Sequence, residues 1–217
     1  MPGLQDIFHE FVTALRHTTL LETVAVITGI VSVWLGKKEN ILVYPIGLNN
    51  TIGYTWLSFD AHLFGEASVN LYYTIVSLYG WYLWSRKDAS RKPLLPISFS
   101  RRSEWMFQLG FFGFFYVTIF AALTYLRQEF AAGALPAADA FASATAFTGM
   151  WLMARKKVES WYWWIATNTI SIPLYFVKHL VFTSFYYFIL LILAISGLIE
   201  WRRKAILNAE AYRSNRA

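Results

Sequence analysis

Residues 28–39 read TGIVSVWLGKKE and residues 148–159 read TGMWLMARKKVE. Thr28-Gly29, Lys37 and Glu39 are thereby answered by Thr148-Gly149, Lys157 and Glu159, each 120 positions further on. The correspondence continues with small slips. Asn50 answers Asn168 at an offset of 118, and Gly80, Trp84, Arg86 and Lys87 answer Gly197, Trp201, Arg203 and Lys204 at 117. Two copies of one unit, both in strongly apolar sequence, predict a duplicated membrane domain, an architecture associated with transporters.

The composition agrees. The chain has 217 residues, 57% of them hydrophobic and 19% aromatic, well above the share in ordinary globular domains. Apolar runs fall at 20–36, 41–58, 69–85, 105–126, 137–154, 161–177 and 183–201, each near the roughly 20 residues needed to cross a bilayer as a helix. A soluble fold with one greasy core would not concentrate apolar residues in runs of that length. The first 19 residues include Asp6, Glu10, Arg16 and His17 and lack a basic start and a small-residue cleavage site, so the first run is expected to be retained. The predicted fold is an all-α membrane protein of seven spans in a 3+1+3 plan. Residues 1–19 form an extracytoplasmic segment, 20–85 the first three-helix repeat, and 86–126 a polar linker with a linker helix. Residues 137–201 are the second repeat and 202–217 a basic cytoplasmic tail. Three crossings reverse the chain's direction, so one additional crossing is what makes the two repeats parallel.

Alternating the sides sorts the basic residues. Lys37, Lys38, the six in Arg86–Arg102, Arg155, Lys156, Lys157, Arg202, Arg203, Lys204, Arg213 and Arg216 make sixteen on one side, against Arg16, Arg127 and Lys178 on the other. The positive-inside rule then places the N-terminus outside and the C-terminus in the cytoplasm. Anchoring on anionic lipid accounts for the net charge of +6, so no nucleic-acid partner is expected.

Polar groups within the spans are few and therefore informative. Asn49 and Asn50 lie in the second span, Asn70 in the third, Gln108 in the fourth and Asn168 in the sixth. Asn50 and Asn168 are repeat equivalents, which predicts a pair of amides meeting near a pseudo-twofold axis. On the sixth span Trp161, Trp164, Asn168, Ser171 and Tyr175 recur at three or four residues and share one helical face. Trp161, Trp163, Tyr82 and Trp84 lie near span ends, where an interfacial belt is the ordinary explanation. Trp164, Tyr175, Tyr73 and Tyr187 lie deeper and are candidates for a ligand wall. Aromatic faces beside carboxamides suit a flat, polar or cationic ring bearing hydroxyls. Some of these amides, taken singly, would serve equally as ties between helices.

The absences narrow the class. No phosphate-binding Gly-rich loop is present, and carboxylates avoid the span centres, so neither an ATP motor nor an ion-coupled acid is indicated. Cysteine is absent, and His9, His17, His62 and His179 show no metal-ligand or catalytic spacing, so no metal, cofactor or enzymatic site is expected. The seventh span contains no lysine, which removes a retinal Schiff base. Glu39 and Glu159, in the basic turns, are candidates for gates pairing across the repeats.

Glu22-Thr23-Val24 through Thr28-Gly29, Leu71-Tyr72-Tyr73 through Tyr79-Gly80-Trp81-Tyr82-Leu83-Trp84, and Arg155-Lys156-Lys157-Val158-Glu159-Ser160-Trp161 through Trp164 and Asn168 together resemble the PnuC family of vitamin transporters. The resemblance covers about residues 20–204. It implies two parallel three-helix bundles around a linker helix, akin to those of SWEET sugar transporters. It also implies uptake of nicotinamide riboside by facilitated diffusion, made one-way by phosphorylation inside the cell. Membership further implies a bacterial inner membrane and a homo-oligomer such as a trimer. By position the resemblance assigns ligand contacts to Asn50, Asn70, Trp164, Asn168 and Tyr175. Thiamine or riboflavin would suit the same aromatics and amides, and a non-transporting scaffold is the alternative from a different class.

Overall fold

The computed structural model describes residues 20–60, 64–88, 93–125 and 135–214; the N-terminal 1–19 segment lies outside these. Among the described residues seven helices run in order: α1 (Leu20–Lys37), α2 (Val43–Asp60), α3 (Phe64–Ser85), α4 (Arg102–Tyr125), α5 (Pro136–Ala154), α6 (Ser160–Val177) and α7 (Val181–Ser214). No strand is present among the described residues, only isolated bridges joining Lys87 to Pro93 and Ser98 to Lys157.

The helix boundaries correct the repeat register read from the sequence. α1 and α5 end at 37 and 154, α2 and α6 span 43–60 and 160–177, and α3 and α7 begin at 64 and 181, each pair 117 apart. The offset of 120 at Thr-Gly, Lys and Glu is therefore about one helical turn out of structural register. Turn geometry gives the same answer. Glu39 and Lys156 both hold left-handed backbone, at φ 56° and 52°. Each closes a helix in the same way: Glu39 and Asn40 donate to Gly36 and Leu35, while Lys156 and Lys157 donate to Met153 and Leu152. These are Schellman closures with a charged residue where glycine is usual. Glu39 thus answers Lys156, not Glu159, and Thr51, not Asn50, answers Asn168.

Two hydrogen bonds cross between the repeats with that symmetry. Trp84 Nε1 donates to the Ala154 carbonyl at 3.0 Å, and Trp201 Nε1 donates to the Lys37 carbonyl at 3.1 Å. Donors and acceptors are both 117 apart, so one rotation exchanges the bonds. They also bring the C-terminal ends of α1 and α5 beside α3 and α7, at what is here termed the basic end. α1 packs on α7 and α5 on α3, again an exchanged pair, while α4 leans mainly on α5.

Trp84 and Trp161 are not interfacial. They are 5% and 1% exposed and form the core at the basic end with Trp201, Tyr44 and Ile97. For Trp161 and its equivalent Tyr44 the reason is glycine at two equivalent positions. A Cβ on Gly197 would lie 2.6 Å from the Trp161 ring, and one on Gly80 would collide with Tyr44. Only backbone without a side chain lets these rings enter. Tyr82, 61% exposed, does face outward as expected of a belt residue.

The long linker is less free than its composition suggests. Ser98 donates to the Lys156 carbonyl and accepts from the Val158 amide, which sinks Ile97 into the tryptophan core. α7 also continues to Ser214 where the sequence suggested a tail, because Trp201 and Ala205 are buried and Asn208 Nδ2 donates to the Ile97 carbonyl.

The outer surface is apolar: Met106, Phe114 and Val117 on α4 and Ile199 on α7 are all more than half exposed. Exposed apolar residues of this size mark a membrane-facing or protein-facing surface. By length and composition alone, α4 and α7 qualify as spans among the described residues, with mean hydropathies of 1.8 and 2.1. α2 and α6 are diluted by polar residues such as Asn49, Thr51, Thr167 and Asn168.

Candidate functional site

A cavity of about 330 Å³ lies between the two repeats, walled by all six repeat helices and by none of α4. Its volume lies within the range of small-molecule sites. Trp164, Thr167 and Asn168 come from α6, Tyr73 and Ser77 from α3, Tyr186 and Tyr187 from α7, and Gly47 and Thr51 from α2. No carboxylate, lysine, arginine or histidine is among the described residues lining it.

The first helix of each repeat shapes this wall through the glycine of its Thr-Gly pair. A Cβ on Gly149 would stand 3.2 Å from the Trp164 indole, and one on Gly29 would collide with the Tyr186 hydroxyl. The repeated motif therefore seats aromatic side chains of the neighbouring helices. The wall is chemically one-sided. α6 and α7 supply four of its rings, Trp161, Trp164, Tyr186 and Tyr187, whereas α1 and α2 supply Gly29, Ser32, Gly36, Gly47 and Thr51 beside the single ring of Tyr44.

Asn168 is 3% exposed, and its side chain makes no hydrogen bond with any of the described residues. One turn earlier, Trp164 occupies the same helical face. On the adjacent face Thr167 donates to the Trp163 carbonyl at 2.9 Å and meets Thr145 at 2.9 Å, so this hydroxyl is already engaged. Thr51, the structural equivalent of Asn168, pairs with the Thr74 hydroxyl at 3.0 Å. Asn168 is thus an unengaged amide on the cavity wall, with donors and acceptor free for a ligand.

The other expected site residues divide. Tyr73 and Tyr187 line the cavity. Tyr175 does not, but stacks on Tyr187 with ring centroids 5.1 Å apart and planes within 10°, backing the wall from behind. Asn70 stands on α3 outside the lining, its carbonyl accepting from Thr74 at 2.9 Å. Asn50 belongs to α2, with its side chain outside the described residues. Gln108, on α4, is a structural tie: it donates to Ser100 Oγ at 2.8 Å and accepts from Trp163 Nε1 at 3.1 Å. Trp163 therefore faces α4 and not lipid.

Tyr44, Thr51, Trp161 and Tyr186 line the cavity without having been singled out as ligand residues. The repeat offset was the signal that would have found Thr51. Tyr44 Oη and Trp161 Nε1 are buried with no partner among the described residues, and the two residues are structural equivalents.

The basic end carries the charges. Lys156, its side chain 4% exposed, reaches Glu39 at 3.1 Å, and Lys204 reaches the other Glu39 oxygen at 2.8 Å. Lys156 also stands over the Trp84 ring, 4.7 Å from its centroid. Burial alone would raise the Glu39 carboxyl, but hydrogen bonds and charge from Lys204 and Lys156 hold it below its ordinary value of 4.5. Because Glu39 and Lys156 are equivalent positions, their ion pair spans the pseudo-twofold axis itself. Glu159 has a different job, accepting from the Ser100 amide at 2.9 Å and from its hydroxyl at 2.7 Å, which pins the linker.

A duplicated helical bundle, apolar outside and carrying a neutral cavity on its internal axis, defines a membrane transporter. The chain belongs to the nicotinamide mononucleotide transporter family, whose sequence profile matches residues 19–203. It is 26% identical over 205 residues to the nicotinamide riboside transporter PnuC of Escherichia coli, covering 85% of this chain and 86% of that one. Similarity at 26% identity extends over 195 residues to the riboflavin/roseoflavin transporter RibM of Streptomyces davaonensis, covering 88% of each. The crystal structure of the vitamin B3 transporter PnuC shares the fold, with a TM-score of 0.65 at 21% identity over 92% of this chain and 88% of that one.

Proposed function

We propose that this chain takes up nicotinamide riboside by facilitated diffusion across the cytoplasmic membrane of a bacterium, with cytoplasmic phosphorylation trapping the product. The observation that carries this reading is the neutral cavity with Trp164 and the unengaged Asn168 on one wall. An indole face attracts a flat cationic pyridinium, and a carboxamide complements a ligand amide or ribose hydroxyls. The same wall argues for the riboside over its phosphorylated form. A desolvated phosphate needs Arg, Lys or clustered backbone donors, and no basic side chain lines the cavity among the described residues. The cavity also offers no carboxylate to bind a coupling ion or proton among its described lining residues.

The ligand contacts are assigned to Trp164 and Asn168, with Tyr73 and Tyr187 completing the ring wall and Tyr175 supporting it. Asn50 remains a proposed contact of the first repeat, whereas Asn70, outside the lining, is assigned none in this cavity. Glu39, paired across the axis, is the proposed cytoplasmic gate, and Glu159 acts on it indirectly by holding the linker. Purified protein in liposomes is expected to equilibrate labelled nicotinamide riboside without ATP or any sodium or pH gradient. Accumulation driven by an imposed ion gradient would reject the uncoupled mechanism.

The basic end is proposed to be cytoplasmic. A cysteine at Leu94, which is half exposed on the linker, should resist an impermeant thiol reagent in intact cells and react after permeabilisation. One at Leu180, in the α6–α7 turn, should react in both. The reverse pattern would invert the topology.

A further inference from the structure

Three glycines line the cavity: Gly29, Gly36 and Gly47. Gly29 is required by the Tyr186 hydroxyl, and a Cβ at Gly36 would make ordinary contact with Val43 and Met153 at 3.8 and 4.0 Å. Gly47 has no such account. A Cβ there meets no described atom within 4 Å, although the residue sits inside α2, where glycine weakens a helix. Its space is the cavity.

The constant offset gives the empty position a counterpart: Gly47 answers Trp164. Both positions line the cavity, and a twofold exchange sets them on opposite sides of its axis, so one copy of the unit presents the indole and the other presents bare backbone. The side-chain volume present in one repeat is missing in the other. Two buried polar atoms without partners, Tyr44 Oη and Trp161 Nε1, belong to residues of the same cavity wall.

We infer that Gly47 sets the ring size the transporter accepts, the ligand's ring lying in the space between the Gly47 backbone and the Trp164 indole. This rests on the reading of the cavity as a site for a ring vitamin. It adds that the first repeat contributes to selection by withholding a side chain. A methyl group at residue 47 would enter the volume of the ring, and an isobutyl group would fill it.

The test is isothermal titration of nicotinamide riboside, thiamine and riboflavin into detergent-purified parent, Gly47→Ala and Gly47→Leu. Gly53→Leu, also on α2 with open space at its Cβ but away from the cavity wall, controls for effects on the helix. Gly47→Ala is expected to melt no lower than the parent and to bind the parent's vitamin roughly 10-fold more weakly. Gly47→Leu should show no binding, and Gly53→Leu should bind as the parent does. Parental affinity in both Gly47 variants would overturn the inference and leave the nicotinamide riboside reading intact. If the parent binds riboflavin or thiamine in its place and the Gly47 variants lose it, the choice of vitamin falls and the role of Gly47 stands. A parent that binds none of the three would sink both. Should Gly47→Leu fail to fold, Gly47→Ala decides alone, since its added methyl touches no described protein atom.

Discussion

Replacing Asn168 with leucine is expected to weaken nicotinamide riboside binding about 10- to 100-fold, the equivalent of losing roughly 1–3 kcal/mol when one hydrogen-bonding partner of a desolvated ligand is removed. The fold should survive. The Asn168 side chain makes no hydrogen bond with any of the described residues, so its loss orphans no protein group there, and leucine matches the apolar surroundings. Trp163→Leu is the informative comparison. Trp163 Nε1 donates to Gln108, and the ring packs on Phe112 with centroids 5.2 Å apart. That variant should lose stability through the α4–α6 seam while keeping near-parental affinity. Titration calorimetry on monodisperse detergent-purified protein reads both. Parental binding by Asn168→Leu together with loss in Trp163→Leu would put the site on the wrong face of α6.

The second large effect is expected from Glu39→Gln. Lys156 would keep its charge at 4% side-chain exposure with only the Trp84 face beside it, and an unpaired buried charge costs about 3 kcal/mol. Glu39→Gln with Lys156→Gln should cost less than the single glutamate change, because no isolated charge remains. Thermal unfolding of the purified proteins measures both, and a double variant no better than the single would show that the pair does not act as a unit. The pH dependence has a definite sign. Glu39 has a folded-state pKa below 4.5, so its contribution is fully present above 4.5 and is lost as pH falls through the lower folded-state value. If the ion pair is the gate, as proposed, Glu39→Gln should also raise the liposome uptake rate.

How much of this was visible in the chain depends on the kind of information. Seven apolar runs, the linker between repeats and the recurrence of glycine and tryptophan were legible because bilayer thickness and repeat identity act on composition and order. The aromatic character of α6 and the depth of Asn168 were legible because a helix places residues three and four apart on one face. The partner of Asn168 was not. An offset of 118 in place of 117 turns a residue about 100° around its helix, enough to exchange a cavity face for a packed one. Sequence identity favoured Asn50, while helix ends and turn backbone favoured Thr51. Trp161 and Trp84 were misplaced for a related reason. Position near a span end indicates an interface only on average; a glycine on a neighbouring helix admits the Trp161 ring, and the Ala154 carbonyl takes the Trp84 indole N–H, both far away in the chain.

The sequence by itself determined that the protein is a duplicated seven-helix membrane transporter with a neutral, aromatic and amide-bearing interior, since these follow from run length, repetition and residue type. Only the tertiary structure decided which positions of the two repeats answer each other: Glu39 and Lys156, which meet as an ion pair, Thr51 and Asn168, and bare Gly47 and Trp164, all of the last four on the cavity wall. Residue type travels with the chain, but opposition across an axis depends on helix rotation, and a single residue of register changes that by more than a quarter turn.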